Sequence, residues 1–302
     1  MKREFYEEKK GERIQRTQDS TDKKDQLDDY DELKIRVAGY NLQELKLDDV
    51  RALLISDGIA KYMYGLIGEG KEANVYWIET PEGKFQAAKM FRIYGTTHKA
   101  KFARHNAKTT DRFAIAEGLC MQEYQNLHFM YDAGVLVPKP IGRKEFFYLM
   151  EFLGDENGPS PLLGEVNLRE LGVDPVEVLD NLLDELDVMF NNAQMVHGDF
   201  SEHNIVWHDE KAWIIDVYQS QRWHPRYDTE SRIKKNRALK VLKKDIAAII
   251  NYFQRTYRIA YDIGTVFELM IDDPVEDWIP EGMMSESFDV DAYVKMQKRV
   301  DY

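Results

Sequence analysis

The chain has 302 residues, of which 43% are hydrophobic: enough apolar material for one large domain or two lobes, and too much for a wholly disordered chain. Its formal net charge of −13 argues, at the level of the whole chain, against a nucleic-acid partner. A lone cysteine, Cys120, excludes an internal disulfide and a multi-cysteine zinc site and suits a reducing, cytoplasmic location, and no apolar run approaches the ~20 residues of a membrane span.

The opening MKREFYEEKK lacks the apolar stretch of a signal peptide. Residues 1–36 are charge-dense and poor in apolar side chains, so residues 1–40 are expected as a charged arm, or as a solvated helix laced with charge pairs. From Leu42 to Leu54 leucines recur at helical spacing and stop at Asp57-Gly58. LIGEGKEANVYWIET then reads as strand, glycine-containing turn, strand, and FQAAKMFRI as a further strand. Residues 95–112 read as a loop or frayed helix, and 113–131 as a helix. VLVPKPIGRKEFFYLMEFLG reads as two short strands joined through Pro138, Pro140 and Gly142. The remainder is more helical: Val173–Ala193 with Pro175 in its first turn, then the apolar strands around VHGDFSEHN and AWIID, then Ile246–Tyr257. This order implies an α+β fold with a strand-rich lobe over 41–150, a helical lobe over 151–265 and an acidic extension over 266–302, docked by Trp278 and Phe288 or left as a tail.

The chemistry concentrates in His197-Gly198-Asp199, Asn204 and Asp216. Two carboxylates and an amide are hard oxygen donors of the kind that suit Mg²⁺, with Mn²⁺ as an alternative, and Asp199 is placed to contact an attacking hydroxyl or water. Singly, each has a bland reading: a turn aspartate, a core histidine, a cap. Jointly, HGDxxxxN followed by IID points to phosphoryl transfer. Upstream, Gly68-Glu69-Gly70-Lys71-Glu72-Ala73 is neither a Walker A loop nor the kinase GxGxxG, and a plain hairpin turn explains it equally well. Lys89 lies within the apolar strand AAKMF, where an ammonium is expensive unless paired; strand alternation sends it to the same face as Ala87, and Glu123 in LCMQEYQNL is its natural partner.

Together GEGKEANVY, Lys89, Glu123, VPKPIG, HGDFSEHN and IIDVYQS followed by His224-Pro225 resemble the RIO family of atypical serine/threonine protein kinases, from about residue 45 to about residue 260. IDVYQS with the later His-Pro, and an N-terminal stretch too short and too charged for a winged-helix module, resemble the family's first, type-one branch in an archaeal-like form. The resemblance implies a bilobal protein-kinase-like fold with ATP bound in a cleft. By the same resemblance Lys89 contacts phosphates and is held by Glu123, with Lys71 and Glu72 of the turn also on the nucleotide. Glu151 and Leu153 present backbone to adenine, Asp199 is the catalytic aspartate, and Asn204 and Asp216 bind Mg²⁺. It further implies that Asp216 accepts phosphate transiently, that the enzyme is an ATPase and serine kinase, and that its partner is a precursor of the small ribosomal subunit, through protein and rRNA. Val217-Tyr218 stands where ordinary kinases carry Phe-Gly and no Ala-Pro-Glu follows, so the activation loop and peptide platform are expected to be missing.

Two other readings compete: a small-molecule phosphotransferase of the aminoglycoside or choline class, which shares HGD…N…ID, and a ribosome-assembly scaffold with a weak ATP site. The net charge also conceals two basic runs, 84–112 and 222–244, which together would make a phosphate-facing surface for RNA.

Overall fold

A computed structural model describes residues 33–35, 43–45, 47–70, 72–91, 112–223 and 229–271. The expectations for residues 1–32 of the arm, for residues 95–111, for Trp278 and Phe288 and for His224-Pro225 fall outside these, whereas Leu33–Ile35, read as part of the arm, is a strand because it pairs with Gln43–Leu45. The described chain forms two compact units, interleaved in sequence. The first takes the chain up to Tyr131 together with Leu136–Asp174 and Glu202–Tyr218; the second takes Asp132–Val135, Pro175–Ser201 and the chain from Gln219. The lobe boundary read at 150–151 therefore falls inside the first unit.

In the first unit, β1 (Leu33–Ile35) pairs antiparallel with β2 (Gln43–Leu45) and is followed by α1 (Leu47–Ser56). The helix expected from Leu42 thus starts at Leu47, because Gln43–Leu45 is taken by strand pairing. It stops where anticipated: Gly58, at φ +68°, closes the last turn by donating its N–H to Ile55 O at 3.0 Å.

Five antiparallel strands then form one sheet in the order β3-β4-β5-β7-β6, with β3 at Tyr62–Glu69, β4 at Ala73–Glu79, β5 at Phe85–Phe91, β6 at Pro140–Lys144 and β7 at Phe147–Glu151. Register decides what this sheet presents. Val75 pairs with Lys89 and Lys89 with Tyr148; Trp77 pairs with Ala87 and Ala87 with Met150. These two rows lie on one face, since partners in register point the same way and alternate residues share a side. Over the same sheet Trp77 stacks on Tyr64 at 4.1 Å and on Phe152 at 5.1 Å, with the latter rings 3° from parallel, so the residue between Glu151 and Leu153 is clamped by a ring of β4.

The joint between β6 and β7 differs from the reading. The turn is at Glu145-Phe146, where Glu145 takes φ +47°, whereas Pro140 and Gly142 lie inside β6 on either side of a register shift. An edge strand tolerates both, because its outer N–H groups owe no ladder bond and a bulge absorbs the irregularity. Helix α2 (Arg112–Asp132) follows β5, and the hairpin of β8 (Ile205–His208) and β9 (Lys211–Ile214) completes the unit.

The second unit is helical. In α3 (Pro175–Asn191) the buried side chains Val178, Leu179, Leu182, Leu183, Leu186, Met189 and Phe190 recur at three- and four-residue spacing, with Glu177, Asp180 and Asp184 exposed. Helix α4 runs from Thr229 to Tyr257, 29 residues, and α5 from Ile263 to Met270. The sequence reading began α4 at Ile246. Its first half was obscured by bases, yet Ala238, Leu239 and Leu242 continue the buried stripe of Ile246, Ile249 and Phe253.

Cys120 on α2 has no exposed surface, and burial pushes its thiol from the usual 9.0 up to about 12. Three pH units mean roughly 1,000-fold less thiolate near neutrality. Iodoacetamide labelling of the native protein at pH 8 should be slower than that of the urea-unfolded chain by about this factor; labelling at comparable rates would show that α2 opens freely.

Candidate active site

A cleft of about 300 Å³ lies wholly within the first unit. One wall is the sheet face set by register: Val75, Ala87, Lys89, Tyr148 and Met150 all line it. Glu151 and Leu153 line it where β7 ends, Gly68, Glu69 and Gly70 where β3 turns into β4, and Asn204, Val206, Ile215 and Asp216 from the β8–β9 hairpin. Six of the nine residues singled out from the sequence are thus in this unit and at this cleft or, for Glu123, bonded to a residue that lines it. Of the others, Asp199 belongs to the second unit, Lys71 lies outside the described residues, and Glu72 acts on Tyr218, whose phenol burial and that charge push up to about 12.

Lys89 is the centre of the charge arrangement. Its Nζ lies 2.6 Å from Glu123 Oε1 and 2.9 Å from Asp216 Oδ1. Burial works against this cation, but the two carboxylates outweigh it and hold its pKa above the usual lysine value. Glu123 has no exposed surface, and burial, opposed by Lys89, pushes its carboxyl up to about 7. No well-aligned hydrogen bond reaches Glu123 Oε2, although the Tyr148 hydroxyl is near enough to favour the carboxylate. One turn along α2, Asn126 Nδ2 donates to Val217 O at 3.1 Å, so the same helix fixes both the lysine and the backbone that follows Asp216.

Asn204 and Asp216 flank one end of the same hairpin. Ile205 pairs with Ile214, and Ile215 N–H donates to Asn204 O at 2.9 Å. Asp216 adopts φ +59°, a left-handed conformation that aspartate tolerates better than most residues, and its side chain is 49% exposed. An amide and a half-exposed carboxylate at one cleft are two oxygen donors that fit Mg²⁺, an ion that ordinarily takes few protein ligands and completes its shell with phosphates and water.

In the second unit the HGDF turn is built around a buried acid that the sequence reading passed over. Asp245 of α4 accepts backbone N–H bonds from His197 (3.1 Å), Gly198 (3.0 Å) and Phe200 (3.4 Å). Burial pushes its carboxyl up to about 6 against the lowering effect of these donors. Gly198 is at φ +87°, and a Cβ there would meet Gln219 O at 3.0 Å, so the turn needs glycine twice over. Asp199 Oδ2 accepts from Gln219 Nε2 at 3.2 Å, and Ser220 Oγ donates to His197 O, also at 3.2 Å. Asp245 carried a faint signal, an acid at the end of a basic run just before Ile246. Of the apolar cleft residues, Ala87 follows from alternation around Lys89, whereas Val75 and Met150 depend on cross-strand register, which leaves no local mark in the sequence.

This sheet-and-helix arrangement is that of a protein-kinase-like α+β fold. Two crystal structures of the Rio2 kinase from Chaetomium thermophilum share it: one described as an ADP/Mg²⁺-phosphoaspartate complex (TM-score 0.53, 18% identity, 88% of this chain and 81% of that one), the other with TM-score 0.54, 17% identity and coverage of 88% and 83%. The RIO domain family model matches residues 74–265, and the chain belongs to the RIO family. Among curated proteins it is 26% identical over 259 residues to human serine/threonine-protein kinase RIO1 (82% of this chain, 43% of that protein). It is 29% identical over 232 residues to the Caenorhabditis elegans RIO1 kinase (72% and 42%) and 26% over 262 residues to the Haloferax volcanii RIO-type kinase Rio1 (82% and 85%). It therefore spans less than half the length of the two animal relatives and most of the archaeal one. The type-one and archaeal-like readings fit these names. Among the described residues no helix is long and apolar enough to cross a membrane.

Two outcomes follow from the buried carboxylates. Asp245→Ala leaves three N–H groups of the turn without their acceptor and should lower stability by about 3 kcal/mol in urea titration. Glu123 binds its proton more tightly folded (about 7) than unfolded (4.5), so its contribution to stability is complete below pH 4.5 and is lost as pH rises through about 7. In Glu123→Gln the decline of unfolding free energy between pH 5 and 8 should be shallower than in the parent; an unchanged slope would contradict the shift.

Proposed function

We propose that this chain is a RIO-type protein serine kinase and ATPase that binds ATP with Mg²⁺, or with Mn²⁺ on the same oxygen donors, and acts on a precursor of the small ribosomal subunit. One observation carries the reading: Lys89 Nζ is held by Glu123 and Asp216 at a cleft that also presents the apolar side chains of Val75, Ala87, Met150 and Ile215. An ammonium fixed by a buried glutamate suits a nucleotide's phosphates, and Val75, Ala87, Met150 and Ile215 suit a purine face. The purine edge would meet backbone at Glu151 and Leu153, with Lys71 and Glu72 nearer the phosphates. Asn204 and Asp216 would hold the metal ion, which supplies charge neutralisation at the phosphates when bound.

The chain's own residues have separate tasks. Glu123 keeps Lys89 charged and in place. Asp199 takes the proton from an attacking serine hydroxyl or orients a water. For ATP hydrolysis, a carboxylate oxygen of Asp216 bonds to the γ-phosphorus while the bond to the ADP oxygen breaks; water then attacks phosphorus, releasing phosphate and restoring the carboxylate. The phosphoaspartate in the similarly folded Rio2 complex supports this route, and the archaeal Rio1 relative, matched over most of its length, supports the kinase reading.

Incubation with γ-labelled ATP and Mg²⁺ should give an acid-precipitable, hydroxylamine-sensitive phosphoprotein. Asp216→Ala should abolish it and lower ATP turnover by at least about 100-fold. Label surviving that substitution would remove Asp216 from the role, and rapid phosphorylation of an aminoglycoside or choline would favour a small-molecule phosphotransferase instead.

A further inference from the structure

Next to the cleft, the same face of the sheet carries four aromatic rings. Trp77 stacks on Tyr64, 4.1 Å away and 19° from parallel, and on Phe152, at 5.1 Å and 3°; Phe85 meets all three edge-on. One end of this column is tied at the surface, where the Tyr64 hydroxyl donates to Glu79 Oε2 at 2.7 Å and Lys61 Nζ donates to Glu79 Oε1 at 3.0 Å. The other end is Phe152, the residue between Glu151 and Leu153. Strand order puts β5 between β4 and β7, so the Phe152 ring reaches Trp77 across β5, where Ala87 is small enough to leave the way open. Gly154 also lies against this ring, since a Cβ there would meet it at 2.6 Å. Indole is a costly choice for the middle of the column. Its Nε1 is buried and finds no acceptor among the described residues, a penalty that an aliphatic side chain would avoid. What it supplies is a flat surface wide enough to stack two rings.

We propose that Trp77 is a positioning residue for the nucleotide, a role that rests on the ATP reading of this cleft: through its stack on Phe152 it sets the backbone of Glu151–Leu153 that meets the purine edge. Hydrogen bonds fix the residues on either side of Phe152. Glu151 N–H donates to Lys139 O and Ser160 N–H to Leu153 O, each at 2.9 Å. Phe152 is held by its ring, so the plane of that ring carries the backbone with it. An aliphatic side chain at 152 or 77 would fill the volume without fixing the plane. Glu151 and Leu153 line the cleft and Phe152 does not, in keeping with a side chain turned away into the aromatic column. Lys89 belongs to the next row of the sheet, paired with Val75 and Tyr148. The stack therefore acts on the base and on affinity, and leaves the phosphates and the chemical step to Lys89 and its partners.

Calorimetry with ATP and Mg²⁺, and turnover at saturating ATP, both on the full chain, test the proposal. Phe152→Leu removes the stack with a small change of volume; it should weaken ATP binding about 10-fold, the worth of one aromatic pair, while turnover at saturation stays within about twofold. Trp77→Phe keeps a ring in the column and drops the unbonded N–H, and should bind ATP within about twofold of the parent. Trp77→Leu should match Phe152→Leu, and the double variant should be no weaker than either, because both remove the same contact. Lys89→Ala locates the nucleotide. Unchanged ATP affinity in Lys89→Ala would overturn the functional reading and the role of Trp77 together. Affinity weakened there but unchanged in Phe152→Leu would overturn the role of Trp77 alone. So would turnover lost at saturating ATP with affinity kept, the mark of a purely structural part, or a Trp77→Phe variant that binds as weakly as Phe152→Leu.

Discussion

An ammonium group inside a sheet is tolerable only with anions around it, and the placement of Lys89 between Glu123 and Asp216 is the constraint to which the first unit answers. Meeting it requires three separate pieces of chain. Strand β5 must hold its register so that Lys89 faces the same way as Ala87; α2 must lie close enough to bring Glu123 to the lysine; and the backbone after β9 must turn sharply enough to return Asp216. Each requirement has its own support: the cross-strand rows with β4 and β7, the Asn126–Val217 hydrogen bond, and the left-handed conformation of Asp216. The three pieces constrain one another, because a slip of one residue in β5 would turn Lys89 to the opposite face and leave two carboxylates facing each other.

The second unit applies the same physics with opposite polarity. Here the buried group is an anion, Asp245, and its partners are backbone N–H groups of the HGDF turn. A carboxylate that collects main-chain donors specifies the path of a loop more firmly than a side-chain pair, because the backbone has fewer ways to comply. Glycine at position 198 is what makes that path accessible, and Ser220 ties the chain after Gln219 to the turn by its bond to His197 O.

Much of this was legible from residues. The expense of an unpaired lysine in AAKMF pointed to a partner acid, the alternation gave its face, and the apolar pair before Asp216 gave the end of a strand. What was not legible depended on pairing or on competing signals. The joint of β6 and β7 was read at its prolines, which are conspicuous, and lies instead at Glu145-Phe146, where a left-handed glutamate leaves no mark in composition. The length of α4 was hidden because its bases outnumber its apolar residues in the first half, although the three-to-four spacing of the latter was intact. Asp245 was missed because main-chain hydrogen bonds have no sequence signature at the residues that donate them.

The interleaving of the two units bears on the order in which the chain can acquire its structure during synthesis. Lys89 and its second anion, Asp216, are 127 positions apart. A growing chain that has exposed the whole five-stranded sheet and α2 still lacks the β8–β9 hairpin, and until that hairpin emerges the cleft has only part of its lining and the lysine only one counter-ion. Late closure by a distant segment raises contact order and slows the final step of folding. The nascent protein consequently passes through a stage with the sheet wall of the cleft built and its Asp216 end open, and the cleft is completed only after synthesis has passed Asp216.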